Sequence, residues 1–399
     1  MRLTAAVELD CAVQNYDWGK RGRASAVARL QSCLHGIDEA LPYAELWMGT
    51  HVSGPSVIRR DGSLLKDALD GRDLPYLFKV LSVNKALSIQ AHPDKALAER
   101  LHAERPNVYK DGNHKPEMAV ALTSFEALCG FRPLEEIAIF LERVPQLKAL
   151  VGDESVARFV AAVTSRDGTK DALRSVFTRL MTCPPDLVAK SLQEMLSDLA
   201  NLDLAIEGSH STMDLRELIK RLADEYPGDV GVFCVFFLNA MALAPGEAIF
   251  LGANEPHAYL RGDCVECMAC SDNVVRAGLT PKYRDVDTLC SMLTYRANVP
   301  EVLKATDVDS QTVGYCPPVS EFYLTKTVLA GSGHDYPMTP CPGTSIVLCA
   351  SGTGQLDSIN VSAGTVIAIP PNHEPVISSS SDMTLFRCSE NVYFGKPSP

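Results

Sequence analysis

Pro245-Gly246-Glu-Ala-Ile-Phe-Leu-Gly-Ala-Asn254-Glu-Pro-His257-Ala-Tyr259 reads as a turn, a short apolar strand and a second turn ending on a histidine. Pro245-Gly246 punctuates the chain on one side, and Gly252, Asn254 and Pro256 do so on the other. A similar phrase lies near the end, where Ala363-Gly364 opens Thr-Val-Ile-Ala-Ile-Pro-Pro-Asn372-His-Glu-Pro375. Setting Gly246 on Gly364 places Asn254 on Asn372 and His257 on Pro375. A glycine, an apolar strand and a turn carrying a metal-binding histidine form the phrase expected in a jelly roll. The repeat predicts two such barrels, the second unable to bind metal through this position.

Between and before the two phrases the character of the chain alternates. Roughly the first 120 residues are rich in Gly, Pro and short apolar runs. There, residues 77–83 and 87–91 read as strands and 95–103 as a helix after Pro93-Asp94. After Pro133 the spacing becomes helical. Leu134, Ile137, Ile139, Phe140 and Leu141 recur with the 3.6-residue period, as do Leu187, Val188, Leu192, Met195, Leu196 and Leu199, then Leu215, Leu218, Ile219 and Leu222. Strand character returns from Leu243. The predicted fold is therefore mainly β with an inserted α-helical domain: two cupin-like jelly-roll barrels plus the helices. Its expected divisions are a metal-binding unit from residues 1–125 and 240–298, a helical insertion from 126–239, and a C-terminal cupin-like unit, 299–399, without metal ligands.

The bulk composition narrows the function. At 399 residues the chain has room for two or three cores. A net charge of −12 argues against nucleic acid or an anionic membrane as partner, because phosphate-rich surfaces attract Lys/Arg faces. An anionic ligand would need a local basic cluster. Met1 to Asp17 lacks the pattern of a signal peptide, and the apolar run from Val230 to Leu238 is too short to span a membrane. The thirteen cysteines are odd in number and many sit in apolar strings, such as Cys234 and Cys349. They read as reduced, buried residues in a cytoplasmic protein.

Three places offer metal ligands. Gln90 and His92 lie two apart in a predicted strand and so share a face. Glu117 follows Asn113-His-Lys-Pro, and His257 ends the proposed barrel strand. Two imidazoles, a carboxylate and an amide oxygen suit zinc with a position left for substrate. Cys264, Cys267 and Cys270 have C-x-x-C spacings, but no second pair completes four thiolates. In a strand, successive members would also point to opposite faces.

Tyr16-Asp-Trp-Gly19, Ala44-Glu-Leu-Trp-Met-Gly-Thr-His51, Leu87-Ser-Ile-Gln-Ala-His-Pro-Asp-Lys95, Asn113-His-Lys-Pro-Glu-Met118, Pro256-His-Ala-Tyr259 and the phrase from Gly262 through Arg276 to Lys282 stand in order over most of residues 10–290. Together they resemble the type I mannose-6-phosphate isomerase family. The resemblance implies one zinc per chain on Gln90, His92, Glu117 and His257, Arg276 as active-site arginine, and interconversion of mannose 6-phosphate and fructose 6-phosphate, which feeds GDP-mannose synthesis. It implies a sugar phosphate as partner, and the chain is expected to be a monomer.

An aldose–ketose isomerase must move a proton between neighbouring carbons, and His114, Lys115 and Glu266 are all candidates to carry it. For the phosphate, Arg276, Lys282, Lys79 and Ser88 are the candidate contacts. Lys79 inside the apolar Leu-Phe-Lys-Val-Leu demands either a ligand anion or a structural carboxylate. Two other readings stay open on the residues alone: an iron-dependent cupin oxygenase and a non-catalytic sugar-binding cupin.

Overall fold

The computed structural model describes residues 3–396, apart from 210, 212, 332 and 334 and the side chains of 33–35. Its strand ladders are all antiparallel, and they fall into two large sheets and two smaller ones. The first large sheet has the path Leu238–Leu243, Phe125–Phe131, His257–Ala269, Tyr76–Val83, Glu45–Met48 and Ala12–Gln14. Glu117–Ala121 and Ala248–Leu251 pair beside it, as do Ile89–Ala91 and Val275–Gly278. The second runs from Thr306–Asp307 through Tyr323–Leu329, Met383–Ser389, Ser345–Ser351 and Val366–Ile369. At its far edge stand Val7–Asp10 and Val57–Ile58, drawn from the start of the chain.

Alternation along the strands builds two cores on either side of the second sheet. Ile346 and Leu348 pack with Phe78, Val80, Val265 and Cys267 of the first unit. Val347 and Cys349, one residue out of phase, pack with Leu356, Val361 and Ile377 of a four-stranded sheet. The two β units therefore share an apolar seam.

The repeat in the sequence is matched in the backbone. Gly246 and Gly364 have φ of 90° and 92°, and Asn254 and Asn372 have φ of 62° and 57°. Positive φ suits glycine and, among other residues, asparagine. Between each pair lies one four-residue strand, Ala248–Leu251 and Val366–Ile369, offset by the same 118 residues as the glycines.

A run of helices from Leu134–Arg143 to Leu215–Glu225 is inserted in the first unit, between its paired strands Phe125–Phe131 and Leu238–Leu243. Ile137, Phe140, Leu141, Val188, Leu192, Met195, Leu218, Ile219 and Leu222 are buried in one cluster with the apolar run from Val230 to Leu238. Leu187 and Leu196 depart from expectation, at 42% and 37% exposed, because they lie at the edge of the apolar stripe of Pro185–Asp198. Among the described residues no helix is long and apolar enough to cross a membrane.

Candidate metal centre and its cavity

The strand His257–Ala269 gathers the centre. Its N-terminal end pairs with Ile89–Ala91, so that His257 lies across from Gln90, and Gln90 lies across from Arg276 on Val275–Gly278. Directly opposed residues point the same way, which puts His257, Gln90 and Arg276 in one row. Further along, Glu266 stands across from Lys79, and Lys79 from Trp47; Met268 stands across from Glu117. Tyr259 and Glu266 are seven apart and would face opposite sides of a regular strand. The ladder shifts between Glu126 and Ala127, where Arg261 and Tyr259 are the successive partners. That extra residue is a β-bulge, and it returns His257 and Tyr259 to the face of Glu266 and Met268.

On that face lies a cavity of about 250 Å³, with Gln90, Lys115, Glu117, His257, Glu266 and Arg276 among its lining. His92 stands behind it, fully buried, with its ring centroid 5.1 Å from that of His257. The Nε2 atoms of His92 and His257 are 3.3 and 3.2 Å from the two carboxylate oxygens of Glu117. In each ring Nδ1 meets a backbone carbonyl, that of Asn273 at 2.7 Å for His92 and that of Glu255 at 3.0 Å for His257. A carbonyl can only accept, so Nδ1 carries the hydrogen and Nε2 is left as a lone pair. Burial pulls the His92 imidazole down to about 4, against the pull of Glu117, which keeps it neutral near pH 7. Both Nε2 atoms are buried and make no hydrogen bond.

Two lone pairs aimed at one carboxylate repel unless a cation lies among them. His92, Glu117 and His257 are also the one group of such side chains, among the described residues, whose ligand atoms lie within 4.8 Å of one another. The residues fit a divalent metal. The carbonyl of Asn273 is itself held: the Asn273 amide donates to the carbonyls of Asp111, at 2.6 Å, and Asn113, at 3.0 Å. Such outer partners fix ring orientation.

The rest of the cavity is strongly charged. Lys115 lies 3.1 Å from Glu117 and, although burial opposes it, holds the Glu117 carboxyl well below its usual range. Burial pushes Glu266 up, despite Lys79 at 3.2 Å. Lys79 also pairs with Glu45 at 3.1 Å, and these carboxylates outweigh burial and push its ammonium up. The Arg276 guanidinium makes no ion pair or hydrogen bond to another described residue, and burial alone lowers it.

Residues 6–134 match phosphomannose isomerase type I, catalytic domain, and residues 150–238 match phosphomannose isomerase type I, helical insertion domain. The chain is 44% identical over 413 residues to mannose-6-phosphate isomerase 1 of Arabidopsis thaliana, covering 97% of this chain and 94% of that one. It belongs to the type I phosphomannose isomerase family. The human mannose-6-phosphate isomerase is 45% identical, with 86% of this chain and 87% of that one covered. A crystal structure of mannose 6-phosphate isomerase bound with zinc and yttrium superimposes with a TM-score of 0.81 at 29% identity, covering 98% of this chain and 100% of that one.

Within this type I phosphomannose isomerase, the residues singled out in the sequence divide. Gln90, Lys79, Lys115, Glu117, His257, Glu266 and Arg276 line one cavity, with His92 behind it. His114 does not line it; its ring bonds Glu321 of the C-terminal unit. Ser88 donates to Gln90 Oε1 at 3.3 Å. Lys282 is exposed and does not line the cavity, because the chain turns away after Gly278. Lys79 has two structural carboxylates and needs no ligand anion to balance its charge.

The sequence reading left several cavity residues without a role. Glu45 accepts from Trp47 Nε1 at 2.5 Å, and Lys79 sits 5.0 Å from the Trp47 ring. His51 lies 3.4 Å from Asp272, whose carboxyl it lowers. The phrases containing Tyr16, Glu45, Trp47 and His51 had carried the family resemblance, and that was the available signal. Cys264 and Cys267 do face opposite cores, and all described cysteines are free.

Proposed function

We propose that the chain is a zinc-dependent aldose–ketose isomerase that interconverts mannose 6-phosphate and fructose 6-phosphate. The observation that carries this reading is the convergence of two imidazole lone pairs on Glu117, at the end of a cavity that also holds an unpaired arginine. Family membership supplies the substrate class.

His92, Glu117 and His257 would hold the zinc, one per chain, with Gln90 from the neighbouring strand as fourth ligand. When bound, the ion supplies Lewis acidity toward the sugar oxygens that gain negative charge. In the open-chain aldose a base takes the C2 proton, and the electron pair of that bond becomes the enediol double bond as the C1 carbonyl pair moves onto O1, which takes a proton. Loss of the O2 proton then forms the C2 carbonyl while the double-bond pair takes the carried proton at C1. Lys115 and Glu266 are the candidate carriers that line the cavity. His114, tied to Glu321, supports the Lys115 loop from outside. Arg276 is the cation available to the substrate, for its phosphate or its developing charge, and the Ser88 hydroxyl lies beside Gln90 on the same side. The free thiols fit a reducing, cytoplasmic setting, where the product would serve GDP-mannose synthesis.

The test is conversion of mannose 6-phosphate by the metal-replete chain, with fructose 6-phosphate followed directly. Product formation that a chelator stops and zinc restores is the expected result. Absence of product from the metal-replete chain overturns the reading, and would leave a sugar-binding or oxygen-using cupin in its place.

A further inference from the structure

We propose that the C-terminal unit carries a second binding site, for a small oxyanion of phosphate size, built around Arg387. The deeply buried cations of this chain come with carboxylates: Lys79 with Glu45 and Glu266, and Arg132 with Glu136 at 2.9 Å. Arg387 is the exception. Its side chain donates from Nε to Ser345 Oγ at 2.9 Å and from Nη1 to the Thr339 carbonyl at 2.5 Å. Nη2 is buried without a partner, and no described carboxylate pairs with the guanidinium. The residue is 6% exposed. A buried charge without a counterion is costly, so a structure that keeps one has a use for it.

Arg387 lines a cavity of about 60 Å³, several times the 10–15 Å³ or so that one water requires. Tyr323, also 6% exposed, lines the same cavity, and its hydroxyl is the second buried polar group there without a partner. Thr325 lies in the same wall, as does Ser389, whose hydroxyl already donates to the Glu390 carbonyl at 3.1 Å. Thr327 and Thr312 satisfy each other at 2.8 Å, and Tyr336 donates to Asp309 at 2.7 Å. That carboxylate makes no ion pair with Arg387. Thr339 and Pro340, both exposed, border the cavity and open it to solvent. A fixed guanidinium with hydroxyl donors beside it is the donor set that recognises a phosphate-like oxyanion.

This site is separate from the metal cavity, and its test does not depend on isomerase activity. Inorganic phosphate is titrated calorimetrically at constant ionic strength into the full-length, zinc-loaded Arg276→Ala chain, which removes the free cation of the first cavity. One bound phosphate per chain is expected, displaced by sulfate. In the same background Arg387→Gln should abolish the heat, and Tyr323→Phe should weaken binding about tenfold, the loss of one hydrogen bond to a charged group. No phosphate binding in the Arg276→Ala chain overturns the proposal, as does binding unchanged by both further substitutions. Should Arg387→Gln fail to fold, Tyr323→Phe removes a single oxygen and decides the matter: unaltered affinity refutes the site.

Discussion

Lys79 shows how a single side chain can be read two ways from sequence and only one way from its neighbours. With Glu45 and Glu266 both within 3.2 Å, its replacement strands two buried carboxylates. Lys79→Met should therefore cost about 3–5 kcal/mol in urea unfolding, the usual result of breaking a buried pair. A rise in KM for mannose 6-phosphate with stability unchanged would restore the phosphate role instead. Arg276 has the opposite character, a cation with no described partner. Arg276→Ala should lower kcat/KM by at least about a hundredfold, as loss of a transition-state contact does, while zinc content measured by atomic absorption stays at the wild-type level. Zinc lost along with activity would make Arg276 structural. The three side chains that converge, His92, Glu117 and His257, were legible because imidazole and carboxylate residues stand in distinctive phrases. Glu45 and Trp47 were not, because what they do depends on which strand lies beside them.

The paired glycines offer a contrast between two elements built alike. A Cβ at Gly246 would lie no nearer than 3.9 Å to anything, whereas one at Gly364 would lie 1.6 Å from the Leu30 carbonyl oxygen. Both alanine variants incur the strain of positive φ, about 1–3 kcal/mol. Gly364→Ala should exceed Gly246→Ala by at least about 1 kcal/mol in denaturant unfolding, since backbone must move. Equal costs would mean that the Leu30 contact yields freely. Asp285 caps the helix Val286–Met292 and also accepts from Arg105 and Tyr109, both at 2.6 Å. Burial opposes it, but these donors and Thr288 lower its carboxyl. Its stabilisation is then complete above the ordinary value of 3.8 and is lost as pH falls through the lower native value. Asp285→Asn should flatten that part of the acid limb in melts between pH 5 and 2; an unchanged limb would assign the loss to other carboxylates. The strand and helix periods made these elements readable in advance. The bulge opposite Glu126 did not show, because an inserted residue leaves no mark on an apolar pattern until its partner strand is known.

At the scale of the molecule the centre joins separate stretches of chain, since His92, Glu117 and His257 come from three strand regions. Metal that binds only the folded chain adds its binding free energy to stability, about 2.7 kcal/mol at a hundredfold excess over Kd. Chelation should accordingly lower Tm and zinc should restore it; a Tm indifferent to zinc would mean the three side chains do not hold it. The order of β, helical and β character was plain in the sequence, and so was the duplicated strand-turn phrase. What escaped it was the exchange at the seam, where an early segment joins the late sheet. Val7, Glu8 and Leu9 find their ladder partners at Ala368, Ile367 and Val366. Such a pairing closes a loop of nearly the whole polypeptide, and non-local pairings of this kind slow folding. During synthesis the opening strand must wait on the ribosome for more than three hundred further residues. Until they emerge its edge stands open to the wrong neighbour, so a chain stalled late in translation is the form of this protein most exposed to aggregation.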